Sequence, residues 1–508
     1  MRFLPVAVLV LTALGSSRAV HAQLGDPIPA PIQKRGLRVE IKDVVRLPDT
    51  RGLRGASEEA MPAGWARVNF IRELPDGRRF VNDLRGLLYV LDAATRPSLY
   101  ADLGAAFPLG YYRGLVAGFV TFEFHPEFAA NGLFYTIHTE RAAGNPGALD
   151  FIPPGLAAAD VTYHTVVTEW QAASSSANVF TGVRRELLRA GHVVANPFHP
   201  LDDLRFNPTA RPGVADYGLL YIGSGDWGFS NGGGPRANNP DQAQRTDTLL
   251  GAVLRIDPRS PGASGGMRGI GNYTIPPINR FAADGNPKTF GEIYAYGFRN
   301  PHRLSWDPGD GTLFVSDIGN SNIEEINIVR EGNNHGWMQR EGTFQSGYYV
   351  SGGNGNQVYA LPANVLDGTM KDGFTYPVAM YDHGEGISVS GGFVYTGRIS
   401  ALRGKFVFGD VARGRVFAAD VAALKAADDG IPSTVAGIEE IQLFVRDGKG
   451  TTTDVSLQQL VDTLVGSRPR VDLQLSQAAN GELYLTSRQD GMIRTLVPES
   501  GPAVSPAR

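Results

Sequence analysis

Apolar and polar residues alternate along this chain with a period of two over short runs, each opened by a turn of Pro, Asn, Asp or Gly, which is the pattern of strands and not of helices. One unit recurs: a turn, an apolar strand carrying an aromatic, and often a closing Asp. Its copies are residues 75–92 (ending GLLYVLD), 125–139 (HPEFAANGLFYTIHT), 207–226 (ending YGLLYIGSGD), 307–317 (DPGDGTLFVSD), 403–410 (RGKFVFGD) and 477–487 (QAANGELYLTS). Such copies imply a period of about 80 residues, that of one sheet in a closed array. With 63 glycines, 33 prolines and no long amphipathic stretch, the pattern predicts an all-β chain, a six-bladed β-propeller of four-stranded antiparallel blades over residues 59–498. Trp65, Phe80, Tyr89, Phe134, Tyr135, Phe314, Phe406 and Tyr484 follow the strand period and read as core. A closed ring makes this one domain, although length alone would suggest more.

The ends of the chain read differently. Residues 1–22 carry Arg2, an apolar run from Phe3 to Leu14 and the small-residue ending Val20-His21-Ala22, the order of a secretory signal cleaved after Ala22. The apolar run falls short of the roughly 20 residues that a membrane-spanning helix needs. A periplasmic or secreted protein without a membrane span is therefore expected. Residues 23–58 read as an N-terminal extended segment and 499–508 as a disordered tail. The chain has no cysteine, which excludes disulfides, thiolate zinc sites, iron–sulfur clusters and covalently attached haem. Its formal net charge of −4 becomes more negative once Arg2 and Arg18 leave with the signal, so the basic surplus of a nucleic-acid binder is missing.

Candidate chemistry concentrates in residues 294–337, YAYGFRNPHRLSWDPGDGTLFVSDIGNSNIEEINIVREGNNHGW. Pro301 fixes a corner that presents Arg299 and Asn300. A turn at 307–311 leads into a strand with Leu313 and Val315 on one side and Thr312, Phe314 and Ser316 on the other. Asp317, Gly319 and Asn320 then form a corner whose carbonyls are able to face a cation. A second strand, 325–329, precedes the loop Gly332-Asn333-Asn334-His335-Gly336-Trp337.

This order of elements resembles the signature of the glucose/sorbosone dehydrogenase family, soluble six-bladed propellers that bind pyrroloquinoline quinone (PQQ). The family shows GxRNP, a strand, a (S/G)-(E/D)-x-G corner, a (D/E)-E-I-(N/D) strand and GxNYGW, with His335 here in place of the usual Tyr. Residues 248–257, TLLGAVLRID, and 272–277, NYTIPP, resemble further family segments. The resemblance covers residues 60–345 well and 380–496 more loosely. It implies a periplasmic quinoprotein dehydrogenase that oxidises a sugar or related alcohol with PQQ and calcium, and passes electrons to an external acceptor.

Residue by residue, His199 resembles the family's catalytic histidine, and an imidazole with a pKa near neutrality suits removal of a hydroxyl proton. The family usually has Gly where Asp202 and Asp203 stand. Some members carry Asp in place of Phe198, so His199 is expected to lack its orienting partner. Asp226 matches an aspartate near the substrate pocket. Arg299 and Asn300 match residues that supply fixed charge and donors to a planar tricarboxylate. Arg468 and Arg470 resemble an Arg-x-Arg pair on the cofactor's carboxylates, and Arg398 lies one residue from a family lysine. Calcium is assigned to the carbonyls of Gly319 and Asn320, with Asp317 as a possible carboxylate. Glu324 and Glu325 read as strand residues, His125 as structural, and His383 as within reach of the pocket. Val116 stands where some members place a pocket glutamine. Two other classes remain: a non-catalytic propeller that binds a partner, resembling the Hedgehog-interacting-protein group, and a calcium-dependent lactonase-type hydrolase needing several converging carboxylates.

Overall fold

The computed structural model describes residues 24–53, 64–114, 116–143, 145, 147–193, 199–228, 241–262 and 265–498. The signal at 1–22, the tail at 499–508 and Phe198 lie outside the described residues.

Among the described residues, five four-stranded antiparallel sheets and one six-stranded sheet follow one another in an all-β propeller arrangement, with a two-stranded and a three-stranded sheet in the connections. The first strands of successive sheets are Val68–Glu73, Phe119–Phe124, Leu201–Phe206, Pro301–Trp306, Val389–Val394 and Leu473–Gln477. Each touches the next in that order, and the last touches the first, so the contacts close a cycle. Five of the six repeat copies fall on the turn and second strand of a sheet. The copy at 75–92 spans the second and third strands, Arg79–Asp83 and Leu87–Leu91.

Both faces of these sheets are covered, which changes the meaning of the alternation. In Leu313–Asp317 every residue is buried. Leu313 and Val315 pack with Tyr221, Val253 and Trp306, whereas Phe314 packs with Ile326, Phe406 and Phe408. The period of two thus sorts side chains between two inter-sheet cores, not between core and solvent.

The segment expected merely to be extended does more. Its strand Arg38–Arg46 pairs antiparallel with Met492–Val497 and parallel with Gln442–Arg446, so the beginning of the chain completes the sheet made by its end. Val39 and Ile41 are buried in the same core as Leu473, Leu475 and Leu496. Helices are few and short. Leu457–Val465 is capped by Ser456, whose hydroxyl accepts from Gln459 N while the Gln459 side chain accepts from Ser456 N, a reciprocal cap that the pattern reading had not picked out.

Candidate functional site

The connections that enter the first strands of five sheets meet at one end of the cycle. Val116 precedes Phe119–Phe124, His199 and Pro200 precede Leu201–Phe206, Asn300 precedes Pro301–Trp306, Ile387 and Ser388 precede Val389–Val394, and Arg470 precedes Leu473–Gln477. All of them line one cavity, together with Ile318 and Val411.

His199 is held from behind. Its Nδ1 lies 2.9 Å from Asp226 Oδ1, and the same oxygen accepts from Gly228 N at 2.9 Å. The other carboxylate oxygen accepts from Trp337 Nε1 at 3.2 Å, and Asp226 N donates to Arg299 O at 2.6 Å. A carboxylate only accepts, so His199 carries its proton on Nδ1 and presents Nε2 as the basic atom. Burial, followed by the positive charge of Arg299, holds His199 below the ordinary histidine range despite the opposing pull of Asp226. The imidazole is therefore neutral at neutral pH. The expectation that His199 lacks an orienting partner is corrected: Asp226, on the far side of a hairpin, takes that part.

Arg299 reaches across the next corner. Its Nη1 donates to Gly319 O at 2.5 Å and to Ile318 O at 3.1 Å, and its guanidinium carbon stands 5.8 Å from the Trp337 ring centroid. Asp317 shapes this corner by accepting from Arg299 N at 3.0 Å and Asn300 N at 2.6 Å. Burial, with Glu325 opposite it in the ladder, pushes Asp317 well up. The next four residues hang from one atom: Glu341 Oε1 accepts from the backbone N–H of Asn320, Ser321, Asn322 and Ile323 at 2.9, 3.0, 2.8 and 3.1 Å.

A repeated irregularity aims further side chains at the axis. The pairing of first and second strands shifts register near the start of the first strand in five sheets, which is the signature of a β-bulge. In two of them the extra residue is Asp202 and His302. These two meet: His302 Nδ1 lies 2.6 Å from Asp202 Oδ2, which also accepts from Asn300 Nδ2 at 3.2 Å. Burial brings His302 down to about 4. Burial opposes ionisation of Asp202, yet His302, Arg303 and Arg488 hold that carboxyl well below its usual range. Gln474 and Arg488 complete this wall.

The fold thus brings together His199, Asp226, Arg299, Asn300 and Arg470, with Val116 beside them. It does not bring Arg398 there, because that residue follows the outgoing end of Val389–Val394 and pairs with Glu482 at 3.0 Å. Nor does Arg468 line the cavity. Its Nη2 donates to Val465 O and its N–H to Asp462, so it braces the end of the helix Leu457–Val465. His383 pairs with Glu324 at 2.9 Å, outside the cavity wall. His302, Gln474 and Arg488 were not anticipated, and Asp202 had counted only as a departure. The available signal was buried-type polarity inside apolar strands, LDDLRF and LQLSQ.

A cycle of sheets with a cavity lined by polar side chains at one end defines an all-β protein of the propeller class. Within that class the chain belongs to the glucose/sorbosone dehydrogenase family, whose sequence pattern matches residues 68–430. It is 28% identical over 322 residues to the HIPL1 protein of Arabidopsis thaliana, an alignment covering 58% of this chain and 42% of that protein. The chain therefore spans less than half the length of that relative. Among solved structures it resembles the PQQ-bound aldose sugar dehydrogenase of Streptomyces coelicolor, with TM-score 0.51 and 17% identity over 92% of this chain and all of that one. The apo-form soluble aldose sugar dehydrogenase of Escherichia coli is similar at TM-score 0.53 and 18% identity, over 91% of this chain and all of that one. At such identities these structures speak for the fold.

Proposed function

We propose that the protein is a six-bladed quinoprotein dehydrogenase that oxidises a sugar or related alcohol, with His199 as general base. The observation that carries this reading is the His199–Asp226 pair on the wall of the cavity, since a neutral imidazole with one nitrogen committed to a carboxylate is a positioned proton acceptor. His199 takes the hydroxyl proton of the substrate, and Asp226 steadies the ring as charge develops on it. Arg299 supplies fixed positive charge a few ångströms away, anchored by the Ile318 and Gly319 carbonyls. Val116, Ile318, Ile387 and Val411 give the same space its apolar lining.

PQQ, when bound, supplies acceptance of the hydride. The residues present fit such a planar tricarboxylate through two kinds of group: Gln474 Nε2, buried without a partner, and Arg470 on the same wall can donate to its carboxylates, while Asn300 Oδ1 and His302 Nε2, also buried without a partner, can accept from its ring N–H. Arg299, Asn300 and Arg470 would hold it. Calcium has a narrower fit. Among the described residues no group of three or more His, Asp or Glu side chains is placed to hold a metal ion, and both Asp317 oxygens serve backbone N–H groups. Of the two carbonyls expected to hold it, that of Gly319 already accepts from Arg299 Nη1 at 2.5 Å, so calcium at this corner would require Arg299 to give that carbonyl up. The same absence of a carboxylate cage leaves a lactonase-type hydrolase without support.

A periplasmic or secreted setting, with electrons passing to an external acceptor, completes the proposal; no helix among the described residues is long and apolar enough to cross a membrane. The likeness to HIPL1 favours a second reading, a propeller that binds a partner without turnover. Purified protein supplied with PQQ and calcium, and followed by dye reduction over a panel of aldoses and polyols, separates the two. Turnover that vanishes in His199→Ala is expected, and no spectral response to PQQ in the unmodified protein would remove the enzyme reading.

A further inference from the structure

One guanidinium in the cavity wall, that of Arg488, has acids nearby, Asp472 and Asp202, that favour its charge but touch it with no carboxylate oxygen. Arg488 is 6% exposed, and its Nε and Nη2 both donate to Asn69 Oδ1, at 3.0 and 2.6 Å. Among the described residues it makes no ion pair. The two nearest acids are committed elsewhere. Asp472 accepts from Arg470 Nε at 2.8 Å and Gln489 Nε2 at 2.5 Å, while Asp202 serves His302 and Asn300. Burial, then the nearby Arg303, pull Arg488 down to about 9. A guanidinium kept charged in such surroundings calls for an anion beside it.

The cavity is also polarised between its walls. On the sixth-sheet side stand donors: Arg488, Arg470 and Gln474, whose Oε1 is taken by Arg303 Nη2 at 2.7 Å, so that its buried Nε2 is left to face a ligand. On the fourth-sheet side stand acceptors. Because Asp202 can only accept, Asn300 turns its amide NH2 toward it; His302 Nδ1 lies 3.0 Å from Arg303 Nη1 but 2.6 Å from Asp202 Oδ2, and the shorter contact, to a carboxylate, places its proton on Nδ1. Asn300 Oδ1 and His302 Nε2, both buried and without partners, then offer lone pairs to the cavity.

We propose that this cavity receives a planar ligand with a carboxylate at one edge, seated on Arg488 beside Gln474, and an N–H or O–H donor at the other, received by Asn300 Oδ1 and His302 Nε2. The proposal rests on the cofactor reading above and deepens it: of the pair Arg468 and Arg470 that the family resemblance implies, Arg470 keeps its place on the wall and Arg488 takes the place of Arg468. Asn69 holds the guanidinium edge-on, which fixes its orientation before the ligand arrives.

Titration with PQQ, followed by tryptophan fluorescence, is compared for the unmodified protein, Arg488→Gln, Arg488→Lys and Arg468→Gln. Isophthalate, a planar aromatic dicarboxylate, is the second probe, read by thermal shift. Loss of a charge-assisted contact in Arg488→Gln should weaken PQQ binding about 10- to 100-fold. Arg488→Lys should recover part of that and serve as the folded control, and Arg468→Gln, at the rim, should stay within about twofold. Undiminished binding in Arg488→Gln, or equal loss in Arg468→Gln, overturns the assignment. If PQQ does not bind the unmodified protein but isophthalate raises its Tm and not that of Arg488→Gln, the anion site stands and the quinoprotein reading falls. If neither probe binds, both fall.

Discussion

His199 lies at φ +52°, a left-handed backbone that costs a non-glycine residue about 1 kcal/mol or more, and its neighbours hold it there. A Cβ on Gly225 would come within 2.4 Å of His199 O and 2.6 Å of His199 Cβ, so the segment just past the strand Leu220–Ser224, which carries Asp226, presses directly on the histidine. Asp226→Asn keeps the volume but removes the charge that fixes the tautomer, and kcat should fall about 100-fold with little change in Tm. Steady-state kinetics beside thermal unfolding checks both. Because burial depresses His199 below its ordinary 6.5, its basic form persists through neutrality, and kcat/KM should decline only on the acid side of pH 6.5. This partner was not legible in a linear motif. The sequence reading looked next door, at Phe198, whereas the contact spans 27 residues and exists only once the hairpin forms. Asp202 and His302 escaped for another reason: a bulge resets the alternation, so counting by twos assigns them to the wrong face.

His335 offers a test of a buried residue outside the proposed chemistry. It stacks on Phe298 with ring centroids 4.3 Å apart, and burial brings it from 6.5 to about 3. Below pH 6.5 the unfolded chain takes up a proton that the folded chain refuses, so this residue's contribution to stability is lost as pH falls from 6.5 toward 3. Going from pH 7 to pH 5 should cost the unmodified protein about 2 kcal/mol more than it costs His335→Phe, measured by urea unfolding at both pH values.

At the scale of elements, strand positions were legible and their surroundings were not. Turn chemistry at Asp307-Pro308-Gly309 and the aromatic in each strand locate the hairpins, because those signals are local. Which core a side chain enters depends on the neighbouring sheet. Phe314 lies between Ile326 and Phe406 and is wholly buried, so Phe314→Ala should cost about 3–5 kcal/mol, seen as a lower urea midpoint. The helix Leu457–Val465 was missed because nine residues give only about two and a half turns of period, and its cap was the readable part.

For the molecule as a whole, the cycle of sheets gathers residues that are far apart in sequence: Val116, His199, Asn300 and Arg470 share one cavity because each enters a first strand from the same end. That much followed from the repeat. Closure by Arg38–Arg46 did not, since nothing in that segment repeats and its partners are more than 400 residues away. Ile41→Asp, which puts a charge into that core, should cost several times the effect of a surface change and expose the Met492–Val497 strand to proteolysis, read by limited trypsin digestion.

The strand Arg38–Arg46 finds its place only beside strands made more than 400 residues later. Until synthesis ends, the array stays an open arc with a bare strand at each end. The ring locks only when strands from opposite ends of the described residues meet.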